Sequence, residues 1–238
     1  MPENLVIPKN ESWKMFDAIS AKYDFLNRVL SLGQDVRWRQ LLKKYLPPAS
    51  EQMLLDIATG TADVAITLTE HNPQVKMTFG VDMAREMLKI GQGKIDRKKL
   101  TGKIILQHGD AQALSFMDDT FDCVTIAFGI RNIPDLRLAL LEMYRVTKKG
   151  GRVLILEFSL PANPVLRWGH WMYLQWVVPA VGFLFSGNWK AYKYLNQTIE
   201  SFPYGDRFCK ILIQFGFTNV TAYPLMGGVA TIYAGDKI

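Results

Sequence analysis

Short apolar runs alternate with amphipathic stretches through the middle of the chain. The runs "MLLDIA", "KMTFGVD", "GKIILQHGD", "FDCVTIAFG" and "GGRVLILEFS" are typical of strands, and "ADVAITLTEH", "AREMLKIGQGKI" and "DLRLALLEMYRVT" have helical spacing. Strands that are apolar on both faces and alternate with helices indicate βαβ units around a parallel sheet. One more helix and two strands follow, and the strands must be antiparallel because Gly227 and Gly228 join them tightly. The pattern predicts an α/β fold with helices on both faces of the sheet.

Two helical segments flank this alternation. Residues 11–46 place apolar side chains such as Trp13, Phe16 and Tyr23 at helical spacing, and residues 160–200 carry four of the six tryptophans. The sequence therefore predicts four segments, namely an N-terminal helical cap over a substrate pocket (1–48), a Rossmann-like ligand-binding core (49–159), an aromatic helical lid (160–201), and a final helix with an antiparallel strand pair that completes the core (202–238).

Composition narrows the class of partner. The net charge is +6 and the isoelectric point is near 9.2, but the basic residues are scattered and form no basic-aromatic array, so we expect no nucleic-acid partner. Two cysteines, Cys123 and Cys209, form no disulfide framework, and three widely separated histidines predict no metal site. The N-terminus has the pattern of neither a signal peptide nor a transit peptide, and a cytoplasmic location is expected.

The loop "DIATGTAD" after the first strand is the most informative stretch. A dinucleotide fingerprint anchored at position 58 would need glycine at positions 58, 60 and 63, and the chain has Ala58, Gly60 and Asp63. An aspartate at the start of the next helix puts negative charge where a pyrophosphate would bind. The Walker lysine is absent as well. A phosphate ligand is therefore disfavoured.

A cationic nucleoside fits the acids of this region better. S-adenosylmethionine (SAM) carries a sulfonium and an ammonium group, which Asp56 and Asp63 suit, and Gly60 lets the backbone approach the ligand. Asp82, at the end of the second predicted strand, is placed to accept hydrogen bonds from ribose hydroxyls. Asp110 and the Ala111 amide, after the third strand, can reach the adenine edge. The alternative for each acid is a loop cap.

Several motifs resemble a known family. These are "AKYDFLN", "DIATGTAD", "FGIRNIPD", "MYRVTKKGGRVLILEFS", "VVPAVG", "YKYLNQTIESFP" and "GGVATIYAGDK". Through nearly its whole length the chain resembles the class I SAM-dependent methyltransferases. More narrowly, it resembles the family that C-methylates quinol rings in menaquinone and ubiquinone biosynthesis. The resemblance implies a seven-stranded, mostly parallel sheet with a C-terminal antiparallel strand, and SAM as cofactor. The cofactor-binding residues expected on both grounds are Asp56, Gly60, Thr61, Asp63, Asp82, Met83, Asp110, Ala111 and Ala127.

The chain departs from the family pattern at two positions. Ala62 stands where the family usually has glycine, so a positive φ there would cost on the order of 1 kcal/mol. Ala127 stands where the family often has a serine that touches the cofactor, which predicts one hydrogen bond fewer. Both departures predict weaker SAM binding and leave the acids in place.

The expected chemistry needs an electron-rich carbon. A quinone ring is electron-poor, whereas a deprotonated hydroquinone carries charge on its ring carbons, so only the reduced ring should be methylated. Arg131 and Asn132 follow the fourth strand and are candidates for stabilising the phenolate or orienting a water; the alternative for Arg131 is a loop cap or a pair with a surface acid. Tyr23 is a candidate wall of the ring pocket, and His170 is a candidate general base, with ordinary packing as the alternative for each.

The stretch "WMYLQWVVPAVGFLF" has 15 residues, too few to span a bilayer, since a spanning helix needs about 20. A buried lid, a wall of a prenyl tunnel and a membrane-interface patch all remain open. The expected function is methylation of demethylmenaquinol to menaquinol by a peripheral membrane enzyme. The alternatives are the ubiquinone-pathway 2-polyprenyl-6-methoxy-1,4-benzoquinol, another lipid substrate, or a non-catalytic SAM-binding scaffold subunit. The expected partners are a polyprenyl quinol and a membrane surface, with a homodimer as an open alternative.

Overall fold

The fold is a seven-stranded sheet with helices on both faces. A computed structural model describes residues 7–186 and 189–238, and side chains outside residues 184–189. The predicted cap and lid extend to residues 1–6 and 187–188, which lie outside the described residues. The strands are β1 (Gln52–Ile57), β2 (Val75–Asp82), β3 (Ile104–His108), β4 (Phe121–Ala127), β5 (Thr147–Phe158), β6 (Thr218–Leu225) and β7 (Ala230–Asp236).

The strand order is β3-β2-β1-β4-β5-β7-β6. Strands β1 to β5 pair in parallel with one another, while β7 is antiparallel to both β5 and β6. The predicted fold class is therefore confirmed. Strand order reverses between β1 and β4, and in open α/β sheets the ligand crevice lies at the carboxyl ends of the strands beside that reversal.

Helices cover both faces of this sheet. They are α1 (Ser12–Leu30), α2 (Gln34–Leu41), α3 (Asp63–His71), α4 (Arg85–Arg97), α5 (Leu136–Val146), α6 (Pro164–Met172), α7 (Val178–Ser186), α8 (Trp189–Ser201) and α9 (Asp206–Gln214). Helices α5 and α9 pack on one face, where Met143 and Phe208 are fully buried. Helices α2 and α3 pack on the other face through Trp38 and Leu68. Both faces of the strands are therefore covered, which explains their continuous apolar sequence.

Helix α1 crosses the carboxyl edge of the sheet and is fixed at two points. Asp17 accepts a hydrogen bond of 2.9 Å from the backbone N–H of Glu86 in the first turn of α4. Asp24 accepts one of 2.7 Å from the Thr61 hydroxyl and forms a 2.5 Å ion pair with Lys94. The amide N–H groups at a helix start lack partners within the helix, so the Asp17 carboxylate stabilises α4 while it holds α1 in place.

The lid helices pack against α1. A five-residue π turn, Tyr173–Val177, joins α6 to α7, and Leu174 and Val178 are buried with Met15 and Tyr194 in one apolar cluster. The segment left open as lid, tunnel wall or surface patch is therefore divided: Leu174 and Val178 face inward, while Trp176 is exposed. The four-segment division of the chain itself stays a prediction.

Candidate active site

Two cavities meet at the carboxyl edge of the sheet, beneath α1. The first has a volume of about 180 Å³ and lies over the ends of β1, β2, β3 and β4. The second has a volume of about 260 Å³ and lies between α1, α2, the lid helices and α8. Four residues line both cavities: Phe16, Tyr23, Phe128 and Asn132. These four side chains therefore mark the place where a ligand in one cavity would meet a ligand in the other.

The carboxylate of Asp82 is fixed in the wall of the first cavity. One oxygen accepts a 2.8 Å hydrogen bond from the Gly60 N–H, and the other accepts one of 2.8 Å from the Ala84 N–H. Burial raises the pKa of Asp82, and these backbone hydrogen bonds act in the opposite direction. Each oxygen keeps a further lone pair, so the carboxylate can accept from two neighbouring hydroxyls such as those of a ribose.

The loop after β1 uses left-handed backbone conformations. Gly60 has φ 57°, and a Cβ placed there would meet no atom within 4 Å, so the loop leaves space beside the first cavity for a ligand. Ala62, at the start of α3, has φ 64°. Ala62 therefore has the positive φ that strains a residue with a Cβ, at a cost in folding free energy on the order of 1 kcal/mol.

The far end of the first cavity combines a carboxylate with apolar walls. Asp110 lines it and accepts a 2.9 Å hydrogen bond from the Gln112 N–H, and the buried Ala111 follows. Met83 and Ala127 line the cavity as well. This mixture of carboxylates, backbone amides and apolar side chains fits an adenosine better than a phosphate.

Asp56 and Thr61 do not line either cavity. Asp56 is buried and accepts hydrogen bonds of 2.6 Å and 2.7 Å from the hydroxyls of Thr59 and Thr125. Its carboxylate therefore contacts side chains of the protein. Burial raises the pKa of Asp56 to about 6, against the effect of those hydroxyls. The Thr61 hydroxyl donates to Asp24 and accepts a 2.8 Å bond from Lys94.

Asp63 also lies away from the cavity expected to bind SAM. Its carboxylate accepts a 2.7 Å hydrogen bond from Lys94 and lies 3.5 Å from Arg39 and 3.6 Å from Arg28. Burial alone would raise the pKa of Asp63, but Arg39 and Lys94 outweigh it and the pKa is lowered. Asp63 therefore neutralises the protein's own cations, and its geometry differs from the expected contact with a sulfonium.

Arg131 and Asn132 lie where the cavities meet. They belong to a short 3₁₀ turn after β4, with exposures of 5% and 8%. Nη1 of Arg131 donates to Glu157 at 2.5 Å and to the Phe128 carbonyl at 2.7 Å. Nε of Arg131 and Oδ1 of Asn132 have no hydrogen-bond partner among the described residues. A buried donor and a buried acceptor are thus left for a ligand.

Glu157 is a site residue that the sequence pattern did not reveal. It is fully buried near the end of β5, where it also accepts a 2.8 Å hydrogen bond from the Phe158 N–H. Burial raises the pKa of Glu157, and the Arg131 guanidinium opposes that rise. The available signal was a single acid inside the apolar run "VLILEF", where an ion pair is the usual reason for a charge.

Tyr23 and His170 both face the second cavity. Tyr23 also lines the first, and burial raises its pKa, while the Arg39 charge opposes the rise. His170, on α6, has a buried Nε2 without a hydrogen-bond partner among the described residues, and burial lowers its pKa. The structure therefore brings all four candidate catalytic residues to the second cavity.

The sequence profile of the ubiE/COQ5 methyltransferase family matches residues 6–237. The chain belongs to this family. It is therefore a SAM-dependent C-methyltransferase, and the residues around the first cavity fit that cofactor. Relatives agree over nearly the full length: the ubiquinone/menaquinone biosynthesis C-methyltransferase UbiE of Geotalea daltonii is 42% identical over 94% of this chain and 95% of its own. The demethylmenaquinone methyltransferase of Porphyromonas gingivalis is 38% identical over 99% of this chain and 97% of its own.

Solved structures are similar in fold. A SAM-dependent methyltransferase from Thermotoga maritima has a TM-score of 0.67 at 18% identity, covering 95% of this chain and 99% of its own. A putative SAM-dependent methyltransferase from Methanococcus maripaludis has a TM-score of 0.62 at 20% identity, covering 100% of this chain and 97% of its own. At these identities the likeness establishes the fold of the methyltransferase and no more.

Proposed function

We propose that this methyltransferase methylates the ring carbon of a polyprenyl quinol, with demethylmenaquinol as its substrate. The observation that carries the proposal is the junction of the two cavities, where Arg131 and Asn132 line a mostly apolar chamber and the Arg131 Nε–H and Asn132 Oδ1 have no partner among the described residues. A quinol ring offers one oxygen to accept and one hydroxyl to donate, and its prenyl tail suits an apolar wall. Relatives named demethylmenaquinone methyltransferase, in Porphyromonas gingivalis and Bacteroides fragilis, support the naphthoquinol.

The residues around the first cavity would hold the cofactor. Bound SAM supplies an electrophilic methyl group. Asp82 accepts hydrogen bonds from the ribose, Asp110 and the Ala111 amide contact the adenine, and the backbone at Gly60 adjoins the amino-acid part. Asp56, Thr61 and Asp63 support this arrangement indirectly, because they fix the loop and α1 around the cavity.

The residues at the junction would activate the ring. Arg131 stays protonated near neutral pH, so its Nε–H can donate to a phenolate oxygen, and Asn132 Oδ1 can accept from a hydroxyl. Phe16, Tyr23 and Phe128 form apolar walls that exclude water from the reacting atoms. His170 is the proposed proton acceptor, since its lowered pKa keeps the His170 imidazole neutral near pH 7.

Methylation should depend on reduction of the ring. With a short-chain demethylmenaquinone and SAM, we expect product only in the arm that contains dithionite under anaerobic conditions, because the oxidised ring has no phenolate. The product is measured by mass spectrometry of the methylated quinone. A benzoquinol arm, the 2-polyprenyl-6-methoxy-1,4-benzoquinol analogue, decides between the two rings. Equal product from the oxidised ring, or none from either quinol, would contradict the proposal.

An exposed apolar surface on the lid supports contact with a membrane. It comprises Val165, Leu166, Trp168, Trp171 and Trp176 and is called the lid surface below. Its Leu166 adjoins Gly227 beside Met226, which lines the second cavity and is 58% exposed. Within residues 7–186 and 189–238, no helix has the length and apolar character needed to cross a bilayer. We infer peripheral binding, with the lid surface in the lipid interface and the cavity open beside it.

Membrane binding should depend on the lid surface. At low salt we expect the protein to float with liposomes rich in phosphatidylglycerol, and W168E/W176E to remain in the dense fraction. Each large apolar side chain that leaves water contributes about 1.5–3 kcal/mol, so two substitutions should weaken binding at least tenfold. The matched control is Met117→Glu, which changes an 81% exposed side chain in the loop before β4. If W168E/W176E floats like the wild type, the lid surface is not the contact.

A further inference from the structure

Lys9 enters the first cavity from a fixed backbone. It begins a 3₁₀ turn, Lys9–Glu11, that leads into α1, and its side chain lines the cavity. The hydroxyl of the buried Ser12 donates a 2.8 Å hydrogen bond to the Lys9 carbonyl, and the Glu11 N–H donates one of 3.0 Å to the Pro8 carbonyl. These bonds close the turn, so the Lys9 side chain is held at the cavity wall.

The ammonium of Lys9 lacks a counterion in the part of the chain that the structure describes. Other cations near the cavities are paired: Arg39 with Asp35, Lys94 with Asp63, and Arg131 with Glu157. Lys9 is partly buried and forms no side-chain hydrogen bond or ion pair with a described residue. A desolvated cation is costly without an anion, which makes the unpaired ammonium informative.

The charges that face Lys9 leave a positive surplus. Burial lowers the pKa of Lys9, Arg131 lowers it further, and Glu157 opposes them. One carboxylate thus offsets two cations. The other titratable residues that line the first cavity are Tyr23, Asp82 and Asp110. Asp82 ends β2, three strand spacings or about 14 Å from the strand that carries Glu157, and the charges that shift the pKa of Lys9 are those of Arg131 and Glu157.

We propose that Lys9 is an anion-binding residue of the active site, whose ammonium binds an oxyanion carried in by a ligand. Two groups have this chemistry: the α-carboxylate of SAM and the phenolate of the quinol. The second source rests on the proposed function, whereas the first needs only the cofactor. In either case the oxyanion of the ligand neutralises the Lys9 ammonium within the first cavity.

The first test measures binding of the cofactor without turnover. The dissociation constants of SAM and of decarboxylated SAM are compared by calorimetry for the wild type, Lys9→Met and Lys9→Arg. If Lys9 binds the carboxylate, Lys9→Met weakens SAM about 10- to 100-fold, leaves decarboxylated SAM nearly unchanged, and Lys9→Arg restores most of the loss. Lys14→Met is the matched control, since Lys14 lies in the first turn of α1 and pairs with the exposed Glu11.

The second test measures the phenolate directly. A prenylated 1-naphthol is bound to the protein in the presence of S-adenosylhomocysteine, and its ionisation is followed by absorbance against pH. If Lys9 binds the phenolate, Lys9→Met raises the apparent pKa of the bound naphthol by about one unit, a tenfold change, and Lys14→Met does not.

The outcomes separate the two proposals. A loss confined to SAM assigns the carboxylate to Lys9, and a shift confined to the naphthol assigns the phenolate. If Lys9→Met changes SAM binding by less than about twofold and leaves the naphthol pKa in place, the inference about Lys9 is overturned. Failure of the wild type to methylate a quinol, with an intact effect of Lys9→Met on SAM, would overturn the proposed substrate alone.

Discussion

Asp82→Ala is expected to weaken SAM binding about 10- to 100-fold. A charged acceptor that is held by two backbone N–H groups and lines the cofactor cavity should contribute about 1.5–3 kcal/mol through its bonds to the ribose hydroxyls. The substitution also releases the Gly60 N–H, so the loop after β1 loses a contact that orders it. Calorimetry gives the dissociation constant, and thermal unfolding without ligand reports any separate loss of stability.

Asp63→Asn tests whether Asp63 contacts the cofactor, as Asp82 is proposed to do, or only pairs with cations of the protein. Asp63 pairs with Lys94 and Arg39 and does not line the first cavity, so we expect its substitution to lower the unfolding free energy while SAM affinity changes less than about threefold. Equal losses of affinity for Asp82→Ala and Asp63→Asn would contradict this geometry. That result would return Asp63 to the role of a cofactor contact.

The positions of Asp82 and Asp110 were predictable from the sequence for a topological reason. Parallel strands end at the same edge of a sheet, so residues that follow successive apolar runs must converge there. The order of runs and amphipathic stretches also predicted the sheet and its antiparallel end, because burial on both faces leaves a continuous apolar signature. These features depend only on which residues are buried and in what order.

The partners of Asp56 and Asp63 were not predictable in the same way. Asp63 is neutralised by Lys94 on α4 and Arg39 on α2, and Asp56 accepts a hydrogen bond from the Thr125 hydroxyl on β4. These contacts join elements distant in sequence, and neither hydrophobic periodicity nor residue spacing specifies them. A carboxylate on a loop therefore predicts the presence of a positive or donor group nearby, but not whether it belongs to a ligand or to the protein.

Neither Lys9 nor Glu157 was predicted as a site residue from the sequence, and the reasons differ. Lys9 lies among scattered polar residues before the first helix, where a lysine is normally a solvated surface charge. Glu157 lies in a strand whose apolar neighbours dominate the pattern. For Arg131 the sequence left three interpretations: a phenolate contact, a loop cap, or a pair with a surface acid. Its Nη1 donates to the Phe128 carbonyl in the loop after β4 and to Glu157, which is a buried acid and not a surface one. Its Nε has no partner among the described residues, so the phenolate contact stays a prediction.

Glu157→Leu should lower the unfolding free energy by about 3–5 kcal/mol, because it leaves the Arg131 guanidinium buried without its carboxylate. Arg131→Leu should lower the unfolding free energy by a smaller amount. The remaining Glu157 has a pKa raised by burial and can take up a proton, whereas an arginine cannot lose one. Urea unfolding at matched pH measures both costs, and R131L/E157L should be more stable than Glu157→Leu.

The pH dependence of Arg131→Leu separates this explanation from a packing defect. Without the guanidinium, the pKa of Glu157 in the folded protein lies above the ordinary value of 4.5 that applies in the unfolded chain. The folded state then carries more protons, so the unfolding free energy of Arg131→Leu should fall as pH rises above 4.5. SAM binding should persist in R131L/E157L, while quinol turnover should drop about 10²- to 10³-fold through loss of the Nε–H donor. A stability loss that is independent of pH, or turnover that survives in the double variant, would show that Arg131 fills space and does not stabilise the reacting oxygen.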